Sequence, residues 1–95
     1  MIERHVTFNV LPGKEAEFET LFTTEYRPAM SKMPGFVKVE LLRDNQDANK
    51  YQMTIRFESL ETAAAWRSSA AHEGLKPKIG PLYDGSTVQV FTVIA

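Results

Sequence analysis

The sequence contains no cysteine, which excludes disulfide bridges, cysteine-ligated zinc sites and thiol nucleophiles. It also lacks any run of Lys or Arg, and its eleven basic and twelve acidic residues give a formal net charge of -1. Binding to a phosphate backbone depends on clustered positive charge, so nucleic acid is a poor candidate partner.

Long apolar runs are absent as well. No stretch approaches the roughly 20 apolar residues that a membrane-spanning helix needs. The first residues alternate between polar and apolar, whereas a secretion signal places an apolar block after a basic stretch. We therefore expect a cytoplasmic protein that does not enter a membrane. With 95 residues the chain is long enough for one domain with one core.

What the sequence does contain is a clear periodicity. Alternation of apolar and polar residues predicts four strands, at residues 2–10, 36–43, 51–58 and 87–94, with a polar loop at 44–50. In the last strand we expect Val88, Val90 and Ile94 to face the core.

Two segments show helical spacing instead. Between the first two strands, apolar residues recur at three- and four-residue steps, and Pro28 predicts an end or kink near residues 25–27. Ser59 is suited to cap a second helix, in which we expect four residues to face inward: Leu60, Ala63, Ala64 and Trp66. The glycines and prolines at residues 74–81 predict an irregular stretch.

This order of elements predicts an α+β fold of the ferredoxin-like β-α-β-β-α-β type, with a four-stranded antiparallel sheet and both helices on one face. The uncovered face is polar on its central strands: His5, Thr7, Asn9, Gln52, Thr54, Arg56 and Glu58. Its margins carry apolar residues: Phe36, Leu42, Phe91 and Val93. Pairing with a second sheet would cover these residues, so we expect a homodimer; scattered exposed apolar residues on a monomer are the alternative.

Several short motifs follow one another along the chain: Leu11-Pro12-Gly13-Lys14, Pro34-Gly35-Phe36, Phe57-Glu58-Ser59, and Trp66 followed six residues later by His72. In this order the sequence resembles the antibiotic biosynthesis monooxygenase (ABM) family over nearly its whole length. The resemblance implies a single domain at residues 1–95 and a dimeric α+β barrel. In such a barrel two sheets face each other, and each protomer keeps a pocket between its helices and its sheet.

The activities implied by the resemblance are cofactor-free oxygenation of quinol-like or polyketide aromatics, quinol oxidation and haem degradation. Haem degradation is disfavoured, because Val6 stands where that branch has a strand asparagine and Lys76 stands where it has its haem-binding histidine. We therefore expect a small aromatic ligand and no cofactor. The alternative is a non-catalytic dimeric module of the same fold that binds a small ligand or is associated with stress.

Cofactor-free oxygenation requires a substrate that, once deprotonated, can itself give an electron to oxygen. The protein then needs only a dry pocket, a base and hydrogen-bond donors. We expect Trp66 to position the aromatic ring through its flat face and indole N–H, and His72 to act as the base. The expected walls of the pocket are aromatic: Phe22, Tyr26, Tyr51 and Phe57.

Plain structural roles for these residues stay open. Trp66 is equally suited to anchor its helix on the sheet, and His72 to satisfy the end of a helix. We expect His5 and Arg56 to be polar contacts at the dimer interface. No two histidines have the spacing of metal ligands, so no metal site is expected.

Overall fold

The computed structural model describes all residues from Met1 to Ala95. Its elements are β1 (Ile2–Val10), α1 (Glu15–Leu21), a π-helical turn (Phe22–Tyr26), α2 (Arg27–Ser31), β2 (Phe36–Arg43), β3 (Lys50–Phe57), α3 (Leu60–Arg67), α4 (Ala70–Ile79), a 3-10 turn (Gly80–Leu82) and β4 (Tyr83–Thr92). The four strands form one antiparallel sheet in the order β2-β3-β1-β4. The α+β fold, with β1 and β3 at the centre of the sheet, is thereby confirmed.

One face of the sheet forms the core with the helices. Val6 of β1 lies between Met53 of β3 and Val88 of β4, and alternate residues of β3 are buried along the whole strand. All buried side chains are hydrophobic, and they form a single cluster. The strict two-residue alternation of β1 and β3 therefore produces one apolar layer between sheet and helices.

The first helical segment does not end at Pro28. It widens into the π-helical turn at Phe22–Tyr26 and continues as α2 through Ser31. Pro28 has no backbone N–H, and its ring would collide with the carbonyl of Thr24 in a regular helix. The wider turn accommodates both features, so the expected end or kink is a local change of helical pitch.

The second helical region runs further than expected. Ser68 and Ser69 separate α3 from α4, and the Ser69 hydroxyl caps α4 by accepting a hydrogen bond from the His72 backbone N–H at 3.2 Å. The prediction of an irregular stretch at residues 74–81 is wrong. Leu75 and Ile79 of α4 are buried in the core, and this burial outweighs the weak helix propensity of the exposed Gly74 and Pro77.

Within α3, the Ser59 cap is confirmed, and the Thr62 side chain completes it reciprocally. Only two of the four residues expected to face inward are buried, Ala63 and Trp66. Leu60 and Ala64 are exposed, because a helix of two turns presents only its i, i+3 positions to the sheet.

The last strand begins at Tyr83 and ends at Thr92, earlier than expected at both ends. Val88 and Val90 do lie on the helix side, opposite Val6 and Arg4, but they are 51% and 50% exposed. Ile94 follows the strand and is exposed. Val88 and Val90 therefore have the expected orientation without being buried, because the helices contact mainly β2 and β3, and the expectation for Ile94 is wrong.

The opposite face of the sheet is uncovered and has a polar centre. Glu3 accepts hydrogen bonds from Arg56 and His5, with the closest atoms of each pair 2.6 and 2.7 Å apart. At the margins, Leu42 is 46% exposed and Phe91 is 40% exposed. The expectation that Phe36 lies on this face is wrong, because the register of β2 shifts between Phe36 and Lys38 and the Phe36 ring packs against the core. Separately, none of the helices has both the length and the apolar character required to cross a membrane.

Candidate functional site

A cavity of about 280 Å³ lies between the helices and the sheet. Its lining comes from β1, β3, β4, the π-helical turn and both helices after β3: Arg4, Val6, Phe8, Tyr26, Met53, Ile55, Trp66, Arg67, His72, Lys76, Tyr83 and Ser86. Ligand sites generally enclose about 300–1,000 Å³, so this cavity suits a small molecule.

Three of the predicted residues meet in this cavity. The ring centres of Trp66 and His72 are 5.1 Å apart, and Tyr26 lies 5.6 Å from Trp66 and 6.3 Å from His72. The rings contact one another edge to face, a favourable arrangement for aromatic groups. The sequence prediction thus identified three residues that belong to one cluster.

The break between α3 and α4 explains how Trp66 and His72 come together. In one continuous helix, residues six apart would be rotated by about 240° around the axis and would face different neighbours. Ser68 and Ser69 end α3 and redirect the chain, so that the last turn of α3 and the first turn of α4 face the same space.

His72 is placed as a neutral proton acceptor. Its Nδ1 atom is buried and has no hydrogen-bond partner. Burial and the charge of Lys76 lower the pKa of His72, while Glu73 and the Arg67 backbone oppose this shift. The first turn of α4, where the helix dipole is positive, also disfavours the imidazolium ion. His72 therefore lies in the first turn of α4, and its ring also interacts with the backbone of Arg67 at the end of α3, so a role in satisfying that helix end coexists with its place in the cavity wall.

Tyr26 is placed as a hydrogen-bond donor. Burial raises the pKa of its phenol to about 12, with Arg4 and the Trp66 indole N–H opposing the shift. The hydroxyl consequently keeps its proton at neutral pH. Trp66 itself is 1% exposed and fills the space between α3 and the sheet. Its anchoring role and its place in the cavity wall therefore coexist.

Arg4 is a further residue of the cavity that the sequence pattern alone did not indicate. This residue lies on the helix side of β1, where Ile2, Val6, Phe8 and Val10 are all buried apolar residues. Its Nε atom is buried and has no hydrogen-bond partner. Burial, together with the charge of Arg67, lowers the pKa of Arg4, yet an arginine remains protonated at neutral pH. A basic residue at an apolar position of the strand was the signal that could have identified it.

Three expected wall residues do not line this cavity. Phe22 stacks behind Tyr26, with 6.4 Å between ring centres, and Phe57 packs against Phe36 in the core. The Tyr51 hydroxyl donates a hydrogen bond to Glu19 at the surface. These three aromatic residues support the core around the site without bordering its cavity.

Two other depressions are more open. One of about 300 Å³ contains Phe22 and Tyr51 and is crossed by the ion pair between Arg43 and Glu19 at 3.3 Å. A larger one of about 510 Å³ lies along the outer side of α1, where Lys78 pairs with Glu25 at 2.6 Å. Neither depression holds a buried, unpaired polar atom. The buried, unpaired polar atoms on the helix side of the sheet, Arg4 Nε and His72 Nδ1, belong instead to residues of the smaller, inner cavity.

Comparison with known proteins gives the same architecture. The profile of the family described as antibiotic biosynthesis monooxygenase matches residues 1–77. No curated protein matches the chain.

Among solved structures, SnoaB, a cofactor-independent oxygenase from Streptomyces nogalater, is 22% identical with a TM-score of 0.88 and covers 99% of this chain and 93% of its own. A candidate antibiotic biosynthesis monooxygenase from Bordetella bronchiseptica is 22% identical with a TM-score of 0.88, covering 99% and 97%. Another from Nitrosomonas europaea is 14% identical with a TM-score of 0.89 and covers both chains completely. At these identities the structural likeness establishes the fold alone.

Proposed function

Because the chain belongs to the antibiotic biosynthesis monooxygenase family, we propose that it is a cofactor-independent monooxygenase or quinol oxidase acting on a small aromatic substrate. The observation that carries this proposal is the meeting of Trp66, His72 and Tyr26 around one inner cavity. SnoaB, which has the same fold, is described as a cofactor-independent oxygenase.

The proposed chemistry needs no electron donor besides the substrate. In the oxygenase reaction, an activated CH2 carbon between aromatic rings becomes a carbonyl. One atom of O2 enters the product, and the other leaves as water with the two hydrogens of that carbon. In the oxidase reaction, a quinol gives two electrons and two protons to O2, which forms a quinone and hydrogen peroxide. Both reactions begin with loss of a proton from the substrate.

The side chains of the cavity are suited to that first step. His72 is the base, because its lowered pKa keeps the imidazole neutral and its Nδ1 has no hydrogen-bond partner in the chain. Tyr26 and Trp66 supply an O–H and an N–H to hold a substrate oxygen, and the apolar residues of the sheet exclude water.

We also propose that the protein is a homodimer whose two uncovered sheet faces meet. Exposed Leu42 and Phe91 at the margins of that face support this arrangement. At its polar centre, Glu3 pairs with both Arg56 and His5. A face whose charges are already paired can be covered without leaving a buried charge unpaired.

Oxygen uptake tests the proposed activity. The protein, freed of metal with a chelator, is mixed with a panel of anthrols and naphthoquinols in an oxygen electrode. We expect turnover that falls roughly 100-fold to 10,000-fold in His72→Gln, the loss typical of removing a general base. Trp66→Phe, which keeps a ring but loses the N–H, should also slow turnover.

His5→Gln is the matched control, since His5 is the only other histidine and lies on the opposite face of the sheet. It should leave the rate unchanged. Full activity in a folded His72→Gln variant would refute the assignment of His72 as the base. Binding of aromatic compounds without any oxygen uptake would instead indicate the non-catalytic ligand-binding module.

A further inference from the structure

The cavity is positively charged and has no internal counter-charge. Arg4, Arg67 and Lys76 line it, and no aspartate or glutamate does. Lys76 is paired with Glu73 at 2.9 Å on the exposed side of α4. Arg4 and Arg67 have no carboxylate within ion-pair distance anywhere in the chain.

The two arginines on the central strands differ in their hydrogen-bond partners. Arg56, on the uncovered face, holds the Glu3 carboxylate through Nη2 at 2.6 Å and Nε at 2.8 Å. Arg4, on the helix side, has a buried Nε with no partner at all. Placing a guanidinium among apolar side chains costs free energy unless an acceptor meets it. No group of the chain accepts a hydrogen bond from this half-buried guanidinium at Nε, so a bound molecule with an acidic oxygen is suited to supply the acceptor.

The apolar and aromatic lining of the cavity indicates what the rest of the ligand is. Val6, Phe8, Met53 and Ile55 form an apolar wall on the sheet, and Trp66 and Tyr26 present ring surfaces from the helices. Such a lining favours a flat aromatic body. A guanidinium offers parallel N–H donors in a planar fork, which suits an oxygen anion attached to that body.

We propose that this cavity binds an aromatic anion and that Arg4 holds its negatively charged oxygen. The inference rests on the proposed function only in using the same cavity, because it concerns binding and not turnover. If the substrate is a quinol, the same contact stabilises the ionised phenol oxygen and makes removal of its proton by His72 easier. The charged oxygen is then either a carboxylate or a phenolate.

Calorimetric titration without oxygen tests the proposal with matched probes. We expect 2-naphthoate to bind at least tenfold more tightly than 2-naphthamide, which has the same shape and no charge. Arg4→Gln should weaken binding of 2-naphthoate roughly tenfold to hundredfold, as expected for loss of a charge-assisted hydrogen bond. Arg4→Lys should retain part of the affinity. Arg27→Gln removes one positive charge outside the cavity, where Arg27 lies 5.4 Å above the Phe22 ring, and should bind like the wild type.

Binding of 4-nitrophenol distinguishes the two sources of charge, because its ionised form is coloured. An increase of the coloured form on binding, lost in Arg4→Gln, identifies a phenolate site; binding of 2-naphthoate alone identifies a carboxylate site. Equal affinity for 2-naphthoate and 2-naphthamide, or an unchanged affinity in folded Arg4→Gln, would overturn the proposal. Arg4-dependent binding of an anion without any oxygen uptake would uphold this inference and refute the proposed oxygenase.

Discussion

Trp66 occupies a position where a single ring serves both the core and the cavity. It is 1% exposed and contacts Tyr26 and His72 through its edges. We expect Trp66→Ala to lower the free energy of unfolding by about 3–5 kcal/mol, because the substitution leaves a large hole in a packed core. Urea unfolding followed by circular dichroism measures this loss.

The matched variant for this prediction is Trp66→Phe, which keeps most of the buried ring and should cost less than Trp66→Ala. This variant also separates activity from folding, since a folded Trp66→Phe protein lacks only the indole N–H and part of the ring. A loss below about 1 kcal/mol in Trp66→Ala would show that Trp66 is not the anchor described here.

The lowered pKa of His72 predicts how the stability and the rate change with pH. In the folded protein its pKa lies below the ordinary 6.5, so folding favours the neutral imidazole. The unfolded chain binds the proton more readily, and stability therefore falls as the pH drops from 6.5 through the folded-state pKa. As the base, neutral His72 should sustain kcat/KM at neutral pH, with the rate declining only below 6.5.

The charged groups around His72 come from each element packed against it. Lys76 and Glu73 lie on its own helix, Arg67 on α3 and Arg4 on β1. NMR titration of the imidazole C–H protons measures the pKa directly, and His5→Gln assigns the signal by removing the other histidine. A pKa at or above 6.5 in the folded protein would contradict the described burial.

Among individual residues, the sequence predicted those whose side-chain type itself suggests a role in a site. Trp66 and His72 are identified by the motif they share with the family, in a chain with one tryptophan and two histidines, and Tyr26 by its place on the expected helix-sheet interface. Arg4 was not predicted, because the alternation of β1 indicates a strand even with one charged residue at an apolar position. Phe22, Tyr51 and Phe57 were placed correctly in the core, but packing between neighbouring rings decides which of them border a cavity.

The residue just before β2, Gly35, packs closely against Thr62 in the first turn of α3. Gly35 has a positive φ of 80°, and a Cβ atom at this position would lie 2.6 Å from the Cβ of Thr62. Thr62 cannot move freely, because it shares the helix cap with Ser59. We therefore expect Gly35→Ala to lower the free energy of unfolding by at least about 2 kcal/mol.

Gly13 provides the control for this prediction. Its φ is 87°, but a Cβ atom there would meet nothing within 4 Å. Gly13→Ala should cost only the backbone strain of about 1–2 kcal/mol. Urea unfolding of both variants separates strain from collision. Equal losses would contradict the close approach of β2 and α3.

The strands were more predictable than the helices. β1 and β2 begin and end where alternation places them, because one buried face imposes a two-residue period. The helix α4 was missed because Gly74, Pro77 and Gly80 are typical of loops, and only the burial of Leu75 and Ile79 makes the segment helical. Burial against a distant part of the chain has no local sequence signal.

For the whole molecule, the main expectation concerns assembly. The helices cover one face of the sheet, and the other leaves Leu42 and Phe91 exposed at its margins. We expect sedimentation at micromolar concentration to show a dimer of two 10.8 kDa chains. Phe91→Glu should shift the protein to the monomer, because it would place a charge in the interface.

Leu60→Glu is the matched control for this experiment. Leu60 is also apolar and is more exposed than Phe91, at 60%, but it begins α3 in the helix layer, away from the uncovered face. This variant should remain dimeric. A 10.8 kDa wild-type species, or dissociation of both variants alike, would contradict pairing through the sheet.

In our proposal the inner cavity beside Trp66 is the site of ligand binding, and Trp66 offers a direct reporter of it. The chain contains one tryptophan, so its indole N–H gives a single, unambiguous NMR signal. We predict that a naphthoquinol, added without oxygen, shifts this signal together with those of His72 and Tyr26. An indole signal that stays in place while residues along the outer side of α1 respond would contradict ligand binding in the inner cavity.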